Sequence, residues 1–477
     1  MPPTIKLALT YDDVLITPKR STFASRKEAL TKTRLTKKLS LGIPIVSANM
    51  DMVTGETMAV TLARLGGIGI IHRFMTIEEN ANVIRRVKRA QNLIISDPYT
   101  IEPTATVMEV KIKAAELGVG GLLVANSDRK LLGVISSRDL LFATSDIQTV
   151  AEIMTPYDKL VVAKEGVTFA EAKRILAEKK IEKLPIVNGQ RVIEGLVTMA
   201  DLKNLGQYPL ANVNSDGKLI VGGSVGVHGD YIERAQELVK AGVDVLVVDI
   251  AHGHSDLMVK AIEKLRAACP GVEIIAGNIA TADAARDLCE VGVDGLKVGV
   301  GPGATCITRL VTGCGVPQLT AVMNCAEAAK KYNVPVIADG GIQKSGDIVK
   351  AVGAGADSVM VGALFAGTAE SPGRIVTRGD KKFKVYRGSA SFDVSEKRKT
   401  LGLEKKDLSE VVPEGVESVV PFKGSVTDIV GQLVGGLRSG MSYTNSHTVD
   451  ELQQNCEFVQ ITNAGQRESG PHDIGNL

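Results

Sequence analysis

The sequence predicts an α/β protein whose main body is a (β/α)₈ barrel, interrupted once by an inserted domain. Three observations lead there. Short runs rich in Val, Ile and Ala that end in Gly, Asn or Asp recur with helical patterns between them, which is how strands buried on both faces of a parallel sheet read. The 49 glycines and the absence of Trp point to tight strand-to-helix turns rather than to an aromatic-rich sandwich. At 477 residues the chain also exceeds one ordinary core, so a second domain is expected.

The strand-like runs number eight: Ile45–Asn49, Gly67–Ile71, Val221–Val225, Val245–Ile250, Glu273–Ile279, Gly295–Gly299, Val334–Gly341 and Ser358–Ala366. Eight such units argue for closure, and closure places the chemistry at the C-terminal ends of the strands. Their spacing breaks once, between the second and third runs. Residues 93–205 therefore read as the insertion, with 1–92 and 206–477 forming the two parts of the barrel.

Within the insertion, Leu122-Leu-Val and Leu132-Gly-Val-Ile-Ser-Ser-Arg-Asp139-Leu are echoed by Leu184-Pro-Ile-Val and Glu194-Gly-Leu-Val-Thr-Met-Ala-Asp201-Leu, an internal repeat. Each copy is a strand pair that runs into a helix through Ser/Thr-x-x-Asp. The repeat resembles a tandem pair of cystathionine-β-synthase-type (CBS) modules. That resemblance implies that Ser136, Asp139, Thr198 and Asp201 hold the ribose or phosphate of a purine nucleotide. The same residues read equally well as two helix N-caps, each with a carboxylate in the first turn. Nearer the C-terminus, residues 380–424 are rich in Lys, Glu and Ser and form a long connection beside the barrel mouth, a candidate lid.

Composition excludes several classes. Lys and Arg (56) nearly balance Asp and Glu (54), and the charges are interspersed, which disfavours nucleic acid as a partner. The six cysteines include no C-x-x-C pair, so neither a disulfide framework nor a zinc site is indicated. With no secretory pattern at the N-terminus and no long apolar run, a cytoplasmic protein without a membrane partner is expected.

The densest chemical signal is Lys297-Val-Gly-Val-Gly301-Pro-Gly303-Ala-Thr-Cys306-Ile-Thr308-Arg309. A lone cysteine is usually a small buried hydrophobe. Here the glycines lift Cys306 onto a loop over the barrel mouth, with a hydroxyl two residues on, and a reactive thiol needs that exposure and those polar neighbours. The other five cysteines keep the ordinary reading. Two further glycine turns, Asp339-Gly340-Gly341 and Gly362-Ala363, follow the seventh and eighth strands, where barrels of this class seat a phosphate on backbone N–H groups. Asp339 is placed for ribose hydroxyls and Tyr386 for the phosphate.

These segments, together with Tyr11-Asp-Asp-Val-Leu, Asn49-Met-Asp, Gly66-Gly-Ile-Gly-Ile-Ile-His72, Val248-Asp-Ile-Ala-His-Gly-His-Ser255, Ala276-Gly-Asn278, Tyr386-Arg-Gly388 and Arg467-Glu-Ser-Gly-Pro-His-Asp473, resemble the inosine monophosphate dehydrogenase / guanosine monophosphate reductase family along nearly the whole chain. The resemblance implies that Cys306 adds to purine carbon 2 to give a thioimidate, assisted by Thr308. It implies substrate contacts from Asn49, Asp339, Gly340, Gly341, Gly362, Ala363, Tyr386, Gly388 and Glu414. Asp249, Asn278, Gly299 and Gly301 would face a nicotinamide nucleotide, with Ser255 supporting their loop. Potassium on Gly301, Gly303 and Cys306, a purine-nucleotide effector on the paired modules, and tetramers or octamers are further implications.

Direction turns on the flap. Dehydrogenases of the family carry an Arg-Tyr pair there to activate water, whereas between Gly388 and Pro413 this chain has Arg398-Lys399 and no tyrosine. Ala48-Asn49-Met50-Asp51 also resembles the reductase pattern. Against this, Val412-Pro-Glu414-Gly-Val-Glu looks dehydrogenase-like, and Arg73 stands where a lysine is usual. The glutamate that works with the threonine in reductases is missing from its expected place, which holds Phe392 followed by Asp393. The expected activity is reductive deamination of guanosine monophosphate (GMP) to inosine monophosphate (IMP) with NADPH. Oxidation of IMP with NAD is the alternative, and a non-catalytic nucleotide sensor or assembly protein is the alternative of another class.

Overall fold

A computed structural model describes residues 5–90, 95, 97–199, 208–400 and 412–471. Contacts divide the chain into two units, one of Met1–Ala90, Leu210–Asn212 and Leu219–Leu477, the other of Gln91–Pro209 and Val213–Lys218.

The larger unit is a closed barrel of eight parallel strands: β1 (Ile45–Ser47), β2 (Ile68–Ile71), β3 (Gly222–Val225), β4 (Val245–Asp249), β5 (Glu273–Ile279), β6 (Gly295–Val298), β7 (Val336–Asp339) and β8 (Ser358–Val361). Closure runs through β8 on β1, where Met360 pairs Val46, and β2 on β3, where Gly222 pairs Ile70. All eight expected runs are strands, and the main excess lies at two C-terminal ends. Gly340 and Gly341 take positive φ (100° and 81°), which ends β7 at Asp339. After β8 the chain turns at Gly362 into one helical turn, Ala363–Ala366.

The base of the barrel is tied by a device used three times. Asp244, Asp294 and Asp357 each follow a Gly-x pair just before or at the start of a strand. Each donates its own N–H to the neighbouring strand (to Val221, Ile274 and Val336 O, 2.8–3.0 Å). Each carboxylate then accepts the N–H of that same residue at 2.8, 2.8 and 2.9 Å. A cation completes every clasp: Lys88 on Asp244, Arg266 on Asp294 and Arg34 on Asp357. The strand starts are thus fixed by charge-assisted bonds beneath a core of Val, Ile, Leu and Ala.

The smaller unit contains the repeat. Strands Gly121–Ala125 and Leu131–Ser136 form one antiparallel pair, Lys183–Val187 and Ile193–Thr198 the other, and both carry a register irregularity at the same place. A helix precedes each pair, Val107–Leu117 and Phe169–Lys179. The two hairpin turns are equivalent in detail. Arg129 and Arg191 have positive φ, Asn126 and Asn188 side chains accept from the turn backbone, and Leu131 N donates to Arg191 O while Ile193 N donates to Arg129 O. Among the described residues no helix is long and apolar enough to cross a membrane.

Candidate active site

The loop after β6 presents Cys306 partly exposed. Arg309 holds that loop closed at its ends, since its guanidinium donates to Val300 O (3.3 Å) and Val316 O (2.6 Å). Its side chain fills the space where a Cβ at Gly301 or Gly315 would lie, and both glycines have positive φ. Cys306 N donates to Gly303 O at 3.0 Å, which closes the bend just before the thiol.

The flap supplies the other wall. Its strands are β9 (Ile375–Arg378), β10 (Lys381–Arg387) and β11 (Glu417–Pro421), with helix Phe392–Thr400 between the last two; residues 401–411 and the side chain of Arg398 lie outside the described set. Just before β11 the chain pairs with the cysteine loop, Cys306 opposite Gly415, with Ile307 N to Glu414 O at 2.8 Å and Val416 N to Thr305 O at 3.0 Å. This pairing brings Glu414 to Thr308. The threonine hydroxyl donates to Glu414 Oε2 at 2.7 Å and lies 3.2 Å from Cys306 Sγ. The expectation that the carboxylate partner of Thr308 is missing, with Phe392 and Asp393 in its place, is therefore corrected. Phe392 is half exposed and Asp393 lies 3.8 Å from Arg387, whereas Glu414 is the partner, delivered from 106 residues away by strand pairing.

Burial separates Cys306 from most of the other cysteines. It pushes the Cys269 thiol up, Cys289 to about 11, and Cys325 and Cys456 to about 12, which makes all four poor nucleophiles at neutral pH. Cys314 departs from the buried-hydrophobe reading, because it is exposed at the end of the same loop.

Across the mouth the expected site residues Asp249, Asn278 and Asp339 meet on a lysine to which the sequence assigns no role. Lys297, inside the barrel on β6, reaches Asp249 at 2.7 Å and Asp339 at 2.8 Å and is itself almost wholly buried. Burial alone would lower its pKa, but the two carboxylates reverse the sign and raise it. Asp249 mirrors this: burial would raise its pKa, while Lys297, then Arg73 and the Asn49 amide, hold it below the usual carboxylate range. Asn278 gives its amide hydrogens to Gly299 O (2.7 Å) and Asp339 Oδ2 (2.9 Å), and its oxygen takes Lys297. Ser255 caps helix Asp256–Ala268 by accepting from Met258 N.

Beside the cysteine loop, Tyr386 sits buried next to Thr305 with its hydroxyl 3.1 Å from where a Cβ at Gly362 would lie, so glycine there leaves the hydroxyl and the turn's backbone facing one space. Gly388 packs against Gly415 and Thr305, and Arg387 is paired with the buried Asp51. Asn49 meets Asp249. In the smaller unit, Ser136 and Asp139 form a reciprocal capping box (Ser136 Oγ to Asp139 Oδ2, 2.6 Å), as the N-cap reading has it. Asp201 lies outside the described residues.

Comparison with known proteins follows this geometry. A family model described as the IMP dehydrogenase / GMP reductase domain matches residues 8–472. The chain is 50% identical to inosine-5'-monophosphate dehydrogenase of Nitrosopumilus maritimus over 98% of its own length and 99% of that protein's. It is 49% identical to GMP reductase of Leishmania donovani over 100% and 99%. A crystal structure of a cysteine-to-alanine variant of GMP reductase from Trypanosoma brucei, in complex with guanosine 5'-monophosphate, superposes with a TM-score of 0.90 at 48% identity, covering 99% of each chain. Sequence, barrel and site agree: the chain belongs to the IMP dehydrogenase / GMP reductase family.

Proposed function

We propose that this protein is a GMP reductase, converting GMP to IMP and ammonia with NADPH. The observation that carries the reading is Thr308 bridging Cys306 and Glu414. Relatives of both names match at nearly the same identity, so identity alone does not choose between the two reactions. The flap weighs the choice toward the reductase. The flap sequence between Gly388 and Pro413 offers no tyrosine to activate water, while a hydroxyl–carboxylate pair beside the thiol suits moving a proton to a departing amine.

In this reading the Cys306 thiol passes its proton through Thr308 to Glu414 as the thiolate bonds to carbon 2 of the guanine. The carbon–nitrogen bond to the exocyclic amine then breaks. Glu414 returns the proton through Thr308, and ammonia leaves a thioimidate on carbon 2. A bound nicotinamide nucleotide would supply the hydride for that carbon; the carbon–sulfur pair then returns to Cys306 as IMP is released, and the thiolate regains a proton from solvent. Gly340, Gly341, Gly362, Ala363 and Tyr386 hold the phosphate, and Asp339 holds the ribose.

The cluster fits a nicotinamide carboxamide at Asp249. A carboxylate has about four acceptor positions, and Lys297 and Asn49 leave some of them available on a side chain that is 19% exposed. Asn278, with its amide engaged, serves by positioning Asp339. Gly301, Gly303 and Cys306 offer carbonyl oxygens of the right kind for potassium, but a hard cation takes about six to eight oxygens, and the reaction above does not call on one. The smaller unit acts as a purine-nucleotide sensor; the support is its tandem repeat and a similar T. brucei GMP reductase structure in complex with guanosine 5'-triphosphate (TM-score 0.79, 44% identity). Tetrameric or octameric assembly in the cytoplasm belongs to the same reading.

The test gives purified protein GMP with NADPH and, separately, IMP with NAD and potassium. The reading expects NADPH consumption matched by IMP and ammonia. Oxidation of IMP with no consumption of NADPH would install the dehydrogenase instead, and no turnover in either assay would leave a sensor.

A further inference from the structure

Beneath the turn that follows β7, three buried polar atoms have no hydrogen-bond partner among the described residues: Tyr11 Oη, Gln318 Oε1 and Asp347 Oδ1. Each belongs to a residue at most 3% exposed. Leaving such atoms unpaired is costly, so each calls for an explanation.

They gather around the tyrosine. Its ring lies 3.2 Å from the position a Cβ on Gly341 would take, and Gln318 Cγ lies 3.7 Å from the same point. Gln318 and Asp347 both act on the Tyr11 hydroxyl, although no direct bond of acceptable geometry joins any two of the three. The segment is anchored at its edges, with Lys350 Nζ on Tyr11 O at 2.7 Å and Lys344 Nζ on Asp12 at 2.8 Å. Both residues belong to or abut the helix Ser345–Gly353 that begins after the turn.

Counting donors and acceptors decides what fits. Gln318 directs its Nε2 to Val298 O (2.8 Å) and Asp339 O (3.2 Å), so its oxygen can only accept. Asp347 Oδ2 already accepts from Gln343 N and Lys344 N, and Oδ1 can accept as well. Tyr11 brings a single hydrogen. One donor facing two acceptors always leaves an acceptor unmatched. A water molecule corrects the count, accepting from Tyr11 and donating to Gln318 and Asp347, and three partners are what a buried water ordinarily has.

We propose that Tyr11, Gln318 and Asp347 hold one buried water, and that this water buttresses the Gly340–Gly341 turn from below. Tyr11 is then a positioning residue for the phosphate seat, a consequence that rests on the function proposed above; the water itself does not. Burial, and after it the charge of Asp347, keep the Tyr11 hydroxyl protonated and so a donor.

A crystal structure of the unmodified protein, at a resolution that orders solvent, tests the site without any nucleotide. A solvent peak within hydrogen-bond distance of all three atoms is expected. Direct pairing of the three atoms with no peak, as a protonated Asp347 would permit, overturns the proposal, and so does a metal ion at that point. Tyr11→Phe tests the consequence. The KM for the purine nucleotide should rise about tenfold, as loss of one buried bond implies, with kcat within about twofold of the parent. A fall in kcat at unchanged KM would contradict the positioning role. If the unmodified protein turned over no nucleotide, the functional reading would fail while the crystal still decided the water.

Discussion

The two ends of the barrel are built from the same groups, a carboxylate and a cation held at strand termini, and they use them differently. At the base each carboxylate serves one strand: Asp244, Asp294 and Asp357 take one backbone N–H and one cation apiece. At the mouth two carboxylates from β4 and β7 share one lysine from β6, with Asn278 of β5 between them. The base closes its charges strand by strand, which fixes register. The mouth leaves Asp249 and Asp339 about one-fifth exposed, with acceptor capacity facing the space over the barrel. The number of partners is alike at the two ends; exposure separates them, with the base carboxylates 8–13% exposed and the mouth carboxylates 19–20%.

The sharpest separation should come from Cys306→Ala. Turnover is expected to fall on the order of 10⁴-fold or more, as for removal of a covalent nucleophile, while GMP affinity by calorimetry stays near that of the parent because the phosphate and ribose groups lie on other loops. Near-normal turnover would sink the nucleophile assignment.

Lys297→Met breaks the mouth cluster and should cost about 3–5 kcal/mol of stability, with activity lost as well, because two carboxylates are left without their cation. The pH dependence gives the sign. In the parent, Asp249 has a depressed folded pKa, so its stabilisation is present above the unfolded value of about 3.9 and is lost only as pH falls through the folded value. Lys297, whose pKa is raised, contributes fully below its unfolded value and matters only in strong alkali. In the variant Asp249 loses the cation that opposed burial, its pKa rises, and thermal unfolding between pH 7 and 5 should shift to higher temperature on acidification. A variant with the parent's profile would show that Lys297 does not set that charge.

Asp244→Asn tests the base. Lys88 would remain buried without its anion, so a loss of about 3–5 kcal/mol is expected, read as a lower midpoint in urea. The kcat of the folded enzyme should be unchanged. A change in kcat at full folding would erase the division between the two ends.

The same division explains what the sequence reveals. Buried strands with terminal glycines are local patterns, and all eight were legible; so was Cys306, because its glycines sit beside it in the chain. The Gly-x-Asp clasps are local too, and the triplets Gly242-Val-Asp244, Gly292-Val-Asp294 and Gly355-Ala-Asp357 could have been found as a repeat. Lys297 stands within the glycine-rich motif, but a lysine amid Leu296 and Val298 shows its meaning only when β4 and β7 close around it. The motif around Glu414 implies a substrate contact, whereas its bond to Thr308 depends on strand pairing across 106 residues. Local chemistry can be read along a chain, but a site assembled by closure cannot.

The account's central claim is that Thr308 and Glu414 move the proton of the amine-release step. Single-turnover measurements on Glu414→Gln separate that step from hydride transfer. With GMP and NADPH, overall turnover should fall by about 10²–10⁴-fold, the usual worth of general acid–base assistance. With IMP and NADP⁺, where the thiol must still lose its proton to reach carbon 2 but no amine departs, the rate of NADPH formation should fall at least tenfold less than the overall turnover. Equal losses in the two assays would contradict the claim.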